Sequence, residues 1–304
     1  MAEQIGRVGI VGLGAMGMGI AQSMLRGGLE VHAFDLRPEA LQALAAAGAQ
    51  TAESPAALAG RVDALVIVVV NAQQTEAVLF GEQGAAAQLK PGAIVIACAT
   101  VAPEFAEALG ARLAAMGLRF IDAPISGGAA RAASGEMSVM AAGAPEDFAR
   151  CERLFSAICS KLYRLGEQPG QGSKVKMINQ LLAGVHIAAA AEAMALGLRA
   201  GCDPDALYEV ISNSAGSSWM FQNRVPHILA GDYTPLSAVN IFVKDLGIVL
   251  DYAKKSVFPL PLSATAHQMF MQASAAGHGG EDDAAVIKLF PGITLPVARG
   301  KQPS

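Results

Sequence analysis

Apolar residues recur along the first half of the chain as short unbroken runs separated by amphipathic stretches. Val8–Val11 is one such run and ends in glycines. Met16–Arg26 follows with helical spacing, and Glu30–Phe34 is a second strand candidate closed by Asp35. Ala64–Val70 is a continuous β-branched run, and Ala93–Ala97 repeats the pattern after Pro91-Gly92. Arg119–Ile121 and Met137–Ala141 are shorter strand candidates, with helical spacing over Pro103–Met116 and Pro145–Ile158. Runs without polar alternation suit strands buried on both faces of a parallel sheet, and strands alternating with helices predict an α/β doubly wound domain.

After Leu165 the texture changes. Gly166–Gly172 is rich in glycine and polar residues, and beyond it the spacing is helical: Ser173–Arg199, Pro204–Ser212, Ala238–Lys254 and Ser263–Ala275. The pattern predicts two domains in 304 residues, a doubly wound 1–165 and an all-α 166–304, joined by the helix that starts near Ser173. Leu181–Ala200 is apolar enough to suggest a membrane span. His186, Glu192 and Arg199 interrupt it and favour burial in protein.

Composition narrows the function classes. Hydrophobic residues make up 53% of the chain and charged residues 16%, which suits a large core rather than disorder. Aromatics are only 5%, so helices should meet through small residues. The formal charge is -4, without a basic block, so no nucleic-acid partner is expected. Cys98, Cys151, Cys159 and Cys202 form no CxxC pair and no metal-ligand grouping. Free thiols in the cytoplasm, no metal and no membrane attachment are the expectations.

The loop Gly12-Leu13-Gly14-Ala15-Met16-Gly17 is a GxGxxG placed directly after a strand and opening a helix. The first glycine permits the tight turn, the second lets backbone approach a pyrophosphate, and the third lets helix and strand pack closely. The helix N-terminus then faces the phosphates. Asp35 ends the second strand, where a carboxylate accepts hydrogen bonds from ribose hydroxyls. The domain is therefore read as a Rossmann domain. A carboxylate at Asp35 repels the 2′-phosphate of NADP, which favours NAD, with Arg37 as the residue that would favour the phosphate.

Removing a hydride from an alcohol carbon needs a base for the hydroxyl proton. None of His32, His186, His227, His267 and His278 sits in a pattern that marks it for this role. Lys176 shares a helix face with Asn179 and Gln180, at i+3 and i+4, which offers one small molecule a base and amide donors. A lysine ordinarily titrates near about 10.4, so such a base requires burial or a neighbouring cation. Lys174 is too close in sequence to share that face. By spacing alone, a surface lysine in a linker is an equal reading. A second candidate follows the Arg119–Ile121 strand: Asp122-Ala123-Pro124-Ile125-Ser126-Gly127-Gly128. Its paired glycines expose N–H groups to a carboxylate and Ser126 adds a hydroxyl.

Together these residues resemble the β-hydroxyacid dehydrogenase family, related to 3-hydroxyisobutyrate dehydrogenase. The carriers are GLGAMG at Gly12–Gly17, DAPISGG at Asp122–Gly128, GQGSKVKMINQ at Gly170–Gln180 and KDLG at Lys244–Gly247. The resemblance implies an NAD-dependent dehydrogenase with Lys176 as catalytic lysine. It places Ser126, Gly127, Gly128, Asn179 and Gln180 on the substrate, and Asn71, Thr100 and Lys244 on the cofactor beside the glycine loop and Asp35. Several residues depart from the common pattern: Gln180 stands for a second asparagine, Ala99-Thr100 for a serine-threonine pair, and the Asn71-Ala72-Gln73 loop lacks a proline. These departures point away from the hydroxyisobutyrate branch, while KMINQ at Lys176–Gln180, the stretch from Ser217 to Arg224 and the helix Val185–Gly197 resemble the branch that oxidises L-threonate at C2. Trp219 and Asn223, one helical turn apart, would then meet the polyol tail. Core packing of Trp219 is the competing reading. The rivals are reduction of tartronate semialdehyde or a similar acid, and a non-catalytic dinucleotide-binding module used for oligomerisation. A homodimer or homotetramer is expected.

Overall fold

The structure, a computed structural model, describes residues 4–297. The outer ends of the two expected domains, residues 1–3 and 298–304, lie outside them. The chain divides into two compact units, Met1–Met177 and Ile178–Ser304, and the division falls inside a long helix.

The first unit opens with β1 (Arg7–Val11), α1 (Ala15–Arg26), β2 (Glu30–Phe34), α2 (Pro38–Ala46), β3 (Gln50–Thr51), α3 (Pro55–Ala59) and β4 (Ala64–Ile67). It continues through α4 (Ala72–Phe80), β5 (Ile94–Ala97), α5 (Pro103–Ala115) and β6 (Arg119–Asp122). The six strands form one parallel sheet in the order β3-β2-β1-β4-β5-β6. Side chains alternate faces along each strand. Val8, Ile10, Ala64, Val66, Ile94 and Ile96 enter one core cluster, while Val11, Leu65, Ile67, Val95 and Ala97 enter another. Both faces are dry, which is why these strands carry no polar alternation. The order reverses between β1 and β4, and open α/β sheets bind ligands at the strand ends beside that reversal.

Next come β7 (Ile125–Ser126), α6 (Gly128–Ser134), β8 (Met137–Ala141), α7 (Pro145–Arg150), α8 (Glu152–Ile158) and β9 (Cys159–Arg164). Here the structure differs from the sequence reading. Met137–Ala141 does not extend the main sheet; it is the centre of a second sheet, β7-β8-β9, with one antiparallel pair. The chain turns out of the first sheet at Pro124, which has no N–H to give a ladder. The single helix expected over Pro145–Ile158 is two, because Cys151 takes a turn conformation at φ -93° and ψ 9°. The strand expected over Ala64–Val70 stops at Ile67. Val68 N–H still donates to Val11 O at 2.8 Å, but its carbonyl lies against the Gly12 turn.

α9 (Gln171–Arg199) crosses the division between the units. The second unit adds α10 (Pro204–Ser212), α11 (Trp219–Ala230), α12 (Val239–Lys255) and α13 (Pro261–Ala273). Among the described residues, α9 alone is long and apolar enough to cross a membrane by length and composition. Its Ile187, Ala188, Ala191 and Met194 are buried in the helical core with Phe221, Phe242 and Phe270. Small residues bring the helices together. A Cβ on Gly184 would meet the Leu246 side chain at 2.9 Å, and one on Gly197 would meet Leu207 at 2.2 Å.

An ion pair is buried in this core. Arg224 Nε donates to Asp283 Oδ1 at 2.5 Å and Nη2 to Oδ2 at 3.2 Å, joining α11 to the turn Asp283–Leu289. Burial pushes the Asp283 carboxyl up to about 6, while Arg224 pulls it back. Arg224→Met should destabilise the protein by about 3–5 kcal/mol, because it strands the aspartate. Adding Asp283→Leu, which leaves no charge, should recover most of that loss; urea melts of the two variants check this.

Candidate active site

The glycine loop joins β1 to α1. Gly12 holds φ at +95°, and a Cβ there would lie 2.2 Å from Val68 O. A Cβ on Gly17 would lie 2.0 Å from Gly12 O. Packing alone therefore demands both glycines. Gly14 differs: a Cβ on it would meet nothing within 4 Å. Gly14 is also the N-cap of α1, which has no side-chain cap and no acidic residue in its first turn. The open space lies where backbone N–H groups at a helix N-terminus suit a phosphate. The loop thus fits a dinucleotide pyrophosphate.

Asp35, just past β2, is tied to the same loop. Its Oδ2 accepts from Leu13 N–H at 2.6 Å, and its Oδ1 accepts from Arg37 N–H at 2.9 Å and Arg37 Nε at 3.0 Å. Burial raises its pKa, but the Arg37 side chain and these backbone N–H groups outweigh it and hold the carboxyl below its usual value. The group is ionised at neutral pH. Arg37 also donates to Leu13 O at 2.9 Å, so its guanidinium is engaged by the loop and by Asp35.

The other first-unit candidates follow strand ends. Asn71 caps α4, its Oδ1 accepting from Gln74 N–H at 2.8 Å. Thr100, after β5, is half-buried. Ser126 ends β7, opposite Ser138. Gly127 and Gly128 follow at φ +135° and +75°, and a Cβ on Gly128 would meet nothing within 4 Å.

Lys176 is buried, at 5% exposure, which meets the first condition set for a lysine acting as a base. Lys174 faces elsewhere: it is exposed and pairs with Glu107 of α5 at 2.9 Å. The turn ahead of Lys176 is bonded to Asp122 at the end of β6. Asp122 Oδ2 accepts from Gly170 N–H at 3.0 Å and Ser173 N–H at 2.8 Å, and Oδ1 accepts from Ser173 Oγ at 2.7 Å. No pattern in the sequence marks Ser173 or the Asp122 carboxylate for a role.

In the second unit, Asn179, Gln180, Lys244 and Asp245 form one group. Asn179 Nδ2 donates to Gln180 Oε1 at 3.0 Å, and Gln180 Nε2 donates to the buried Asp245 at 2.6 Å. Lys244 Nζ lies 2.5 Å from the other Asp245 oxygen. That oxygen lacks hydrogen-bond geometry, so the contact is an ion pair rather than an aligned bond. Asp245 went unmarked in the sequence, although it directly follows Lys244 in the KDLG motif. Trp219 and Asn223 belong to α11. Trp219 is 53% exposed, outside the helical core, and Asn223 Oδ1 accepts from Arg224. Four histidines have structural partners: His32 with Glu30, His227 with Asp232 O, His267 with Val243 O and His278 with Glu281. Cys98, Cys151, Cys159 and Cys202 are unpaired, and burial pushes the Cys98 and Cys151 thiols up to about 12.

Comparison with known proteins gives the family. Residues 7–166 match the NAD binding domain of 6-phosphogluconate dehydrogenase, and residues 170–290 match the NAD-binding domain of NADP-dependent 3-hydroxyisobutyrate dehydrogenase. The chain is 70% identical to an L-threonate dehydrogenase of Cupriavidus necator, over 95% of this chain and 97% of that protein. It is 55% identical to an L-threonate dehydrogenase of Escherichia coli K12, over 96% and 97%. A crystal structure described as 3-hydroxyisobutyrate dehydrogenase from Salmonella typhimurium superposes with a TM-score of 0.90 at 55% identity, over 93% of this chain and 99% of that one. The chain belongs to the 3-hydroxyisobutyrate dehydrogenase family and is an NAD-dependent hydroxyacid dehydrogenase.

Proposed function

We propose that the enzyme oxidises the C2 hydroxyl of L-threonate to 2-dehydro-L-erythronate, with Lys176 as general base. The buried Lys176 on α9 carries the chemical part of this reading. The choice of acid is supported by relatives named L-threonate dehydrogenase at 70% and 55% identity over nearly the whole chain. In this reading the N–H groups of residues 12–17 hold the pyrophosphate, Asp35 takes the ribose hydroxyls, and Asn71, Thr100 and Lys244 complete the cofactor contacts. NAD, when bound, supplies the hydride acceptor. Ser126 Oγ and the N–H groups of Gly127 and Gly128 hold the substrate carboxylate. Lys176 Nζ takes the hydroxyl proton, Asn179 and Gln180 orient the substrate, and Trp219 and Asn223 meet its hydroxylated tail. A cytoplasmic homodimer or homotetramer completes the proposal; the unpaired cysteines and the exposed Leu182 and Leu196 on α9 fit it.

Initial rates on L-threonate, 3-hydroxyisobutyrate and, in reverse, tartronate semialdehyde test the substrate. The highest kcat/KM is expected on L-threonate, and a higher value on either other acid overturns the assignment. Lys176→Ala should lower kcat by roughly 10²–10⁴-fold, the usual worth of a positioned base, while NADH still binds in a fluorescence titration. Near-normal turnover in that variant removes Lys176 from the chemistry. Asp35→Ala should shift the NAD-over-NADP preference by about fivefold or more toward NADP. A like-charge contact near ~4 Å costs about 1 kcal/mol even in bulk water.

A further inference from the structure

We propose that Asp122 is a positioning residue for Lys176: its carboxylate fixes the first turn of α9 on the sheet and so sets where the lysine amine stands. This rests on the reading of Lys176 as the base. Four other helices, α3, α4, α10 and α11, are capped by the residue directly before them, Ser54, Asn71, Asp203 and Ser218. α9 is held differently. Its cap is a carboxylate 48 and 51 residues away in sequence, at the C-terminal end of a sheet strand. A local cap stabilises a helix wherever the helix lies, whereas a cap from β6 also fixes its location.

The attachment has three further features. Asp122 is 1% exposed, and a buried carboxylate is tolerable only when its lone pairs are used, as the bonds from Gly170 and Ser173 use them here. No side chain separates the turn from the sheet: a Cβ on Gly172 would lie 2.4 Å from Met140 O and 2.8 Å from Asp122 O. A Cβ on Gly170, at φ +92°, would lie 2.7 Å from the Glu107 side chain and 3.0 Å from Pro103 O, both on α5. Lys176 follows Ser173 by three residues, hence on the same face and about 4.5 Å further along the axis. A helix transmits a displacement of its first turn to that position almost undiminished.

The test uses the full-length enzyme with NAD and whichever acid the unaltered enzyme oxidises fastest. Asp122→Ala should lower kcat by roughly 10²-fold, the effect of misplacing a reacting group by about 1 Å, with NADH affinity unchanged. Amide exchange over residues 170–174 should quicken. Asp122→Asn should restore most of kcat. Its Oδ1 can accept both N–H bonds, and its Nδ2 can donate to a Ser173 hydroxyl turned the other way. In a Lys176→Ala background, Asp122→Ala should cost nothing further, since there is no lysine left to place. A merely structural role would lower the melting temperature in both backgrounds and leave kcat per folded site intact. Two outcomes overturn the proposal: a folded Asp122→Ala with unchanged kcat, or an equal further loss in the Lys176→Ala background. If Asp122→Ala does not fold, Ser173→Ala, which removes one bond, is judged by the same criteria. Retained turnover in Lys176→Ala alone defeats the base itself. Loss there with none in Asp122→Ala defeats only the positioning.

Discussion

No side chain fits between Gly12 and the carbonyl of Val68, and that exclusion governs how α1 leaves the sheet. β1 and β4 are neighbours at the point where strand order reverses, so the turn after β1 runs against the end of β4. Gly17 then packs on Gly12 O, which directs the helix axis back over the sheet. With the helix so placed, its uncapped N-terminus opens on Gly14, and Leu13 N–H reaches Asp35 just past the end of β2. The loop proposed to hold the phosphates and the carboxylate proposed to take the ribose are thus one construction, joined by the bond from Leu13 N–H to Asp35.

At the end of β6 a carboxylate does similar work by a different means. Asp122 receives N–H groups from the start of α9, as a phosphate would at α1, but here the anion belongs to the protein. In the second unit Asp245 gathers Gln180 and Lys244 around a buried charge, and Gln180 in turn receives Asn179. A buried charge of this kind persists only if its partners keep their places. The substrate and cofactor candidates are therefore held by groups that are themselves immobilised.

What was legible in the sequence was local. The run Val8–Val11, the three glycines and Asp35 lie within thirty residues, and each spacing has a physical meaning that needs no partner from elsewhere. The buried strands were legible because a run apolar on both faces has few other homes. Partnership was not legible. Met137–Ala141 reads as a strand, but nothing in those five residues says that its neighbours are Ile125–Ser126 and Cys159–Arg164. Asp122 escaped for the same reason: its partners lie some fifty residues on, and two of its three bonds come from backbone N–H groups, which no side-chain pattern records. Lys176 was offered by its spacing to Asn179 and Gln180 and then by family resemblance, and Lys244 by resemblance alone, while Asp245 beside Lys244 carried no signal until its burial was seen.

The contrast among the three loop glycines has an evolutionary side. In the proposed binding mode the phosphate end of the cofactor meets main chain, and two of the three glycine positions there admit no side chain at all. Mutation has little purchase on such a surface: it can damage the grip but has few ways to retune it. In the same proposal the ribose end meets the side chain of Asp35, with Arg37 already beside it, and a side chain can be exchanged in one step. A lineage built on this scaffold would therefore drift between dinucleotides at the tip of β2, while the loop that defines the fold stays silent about which one it holds.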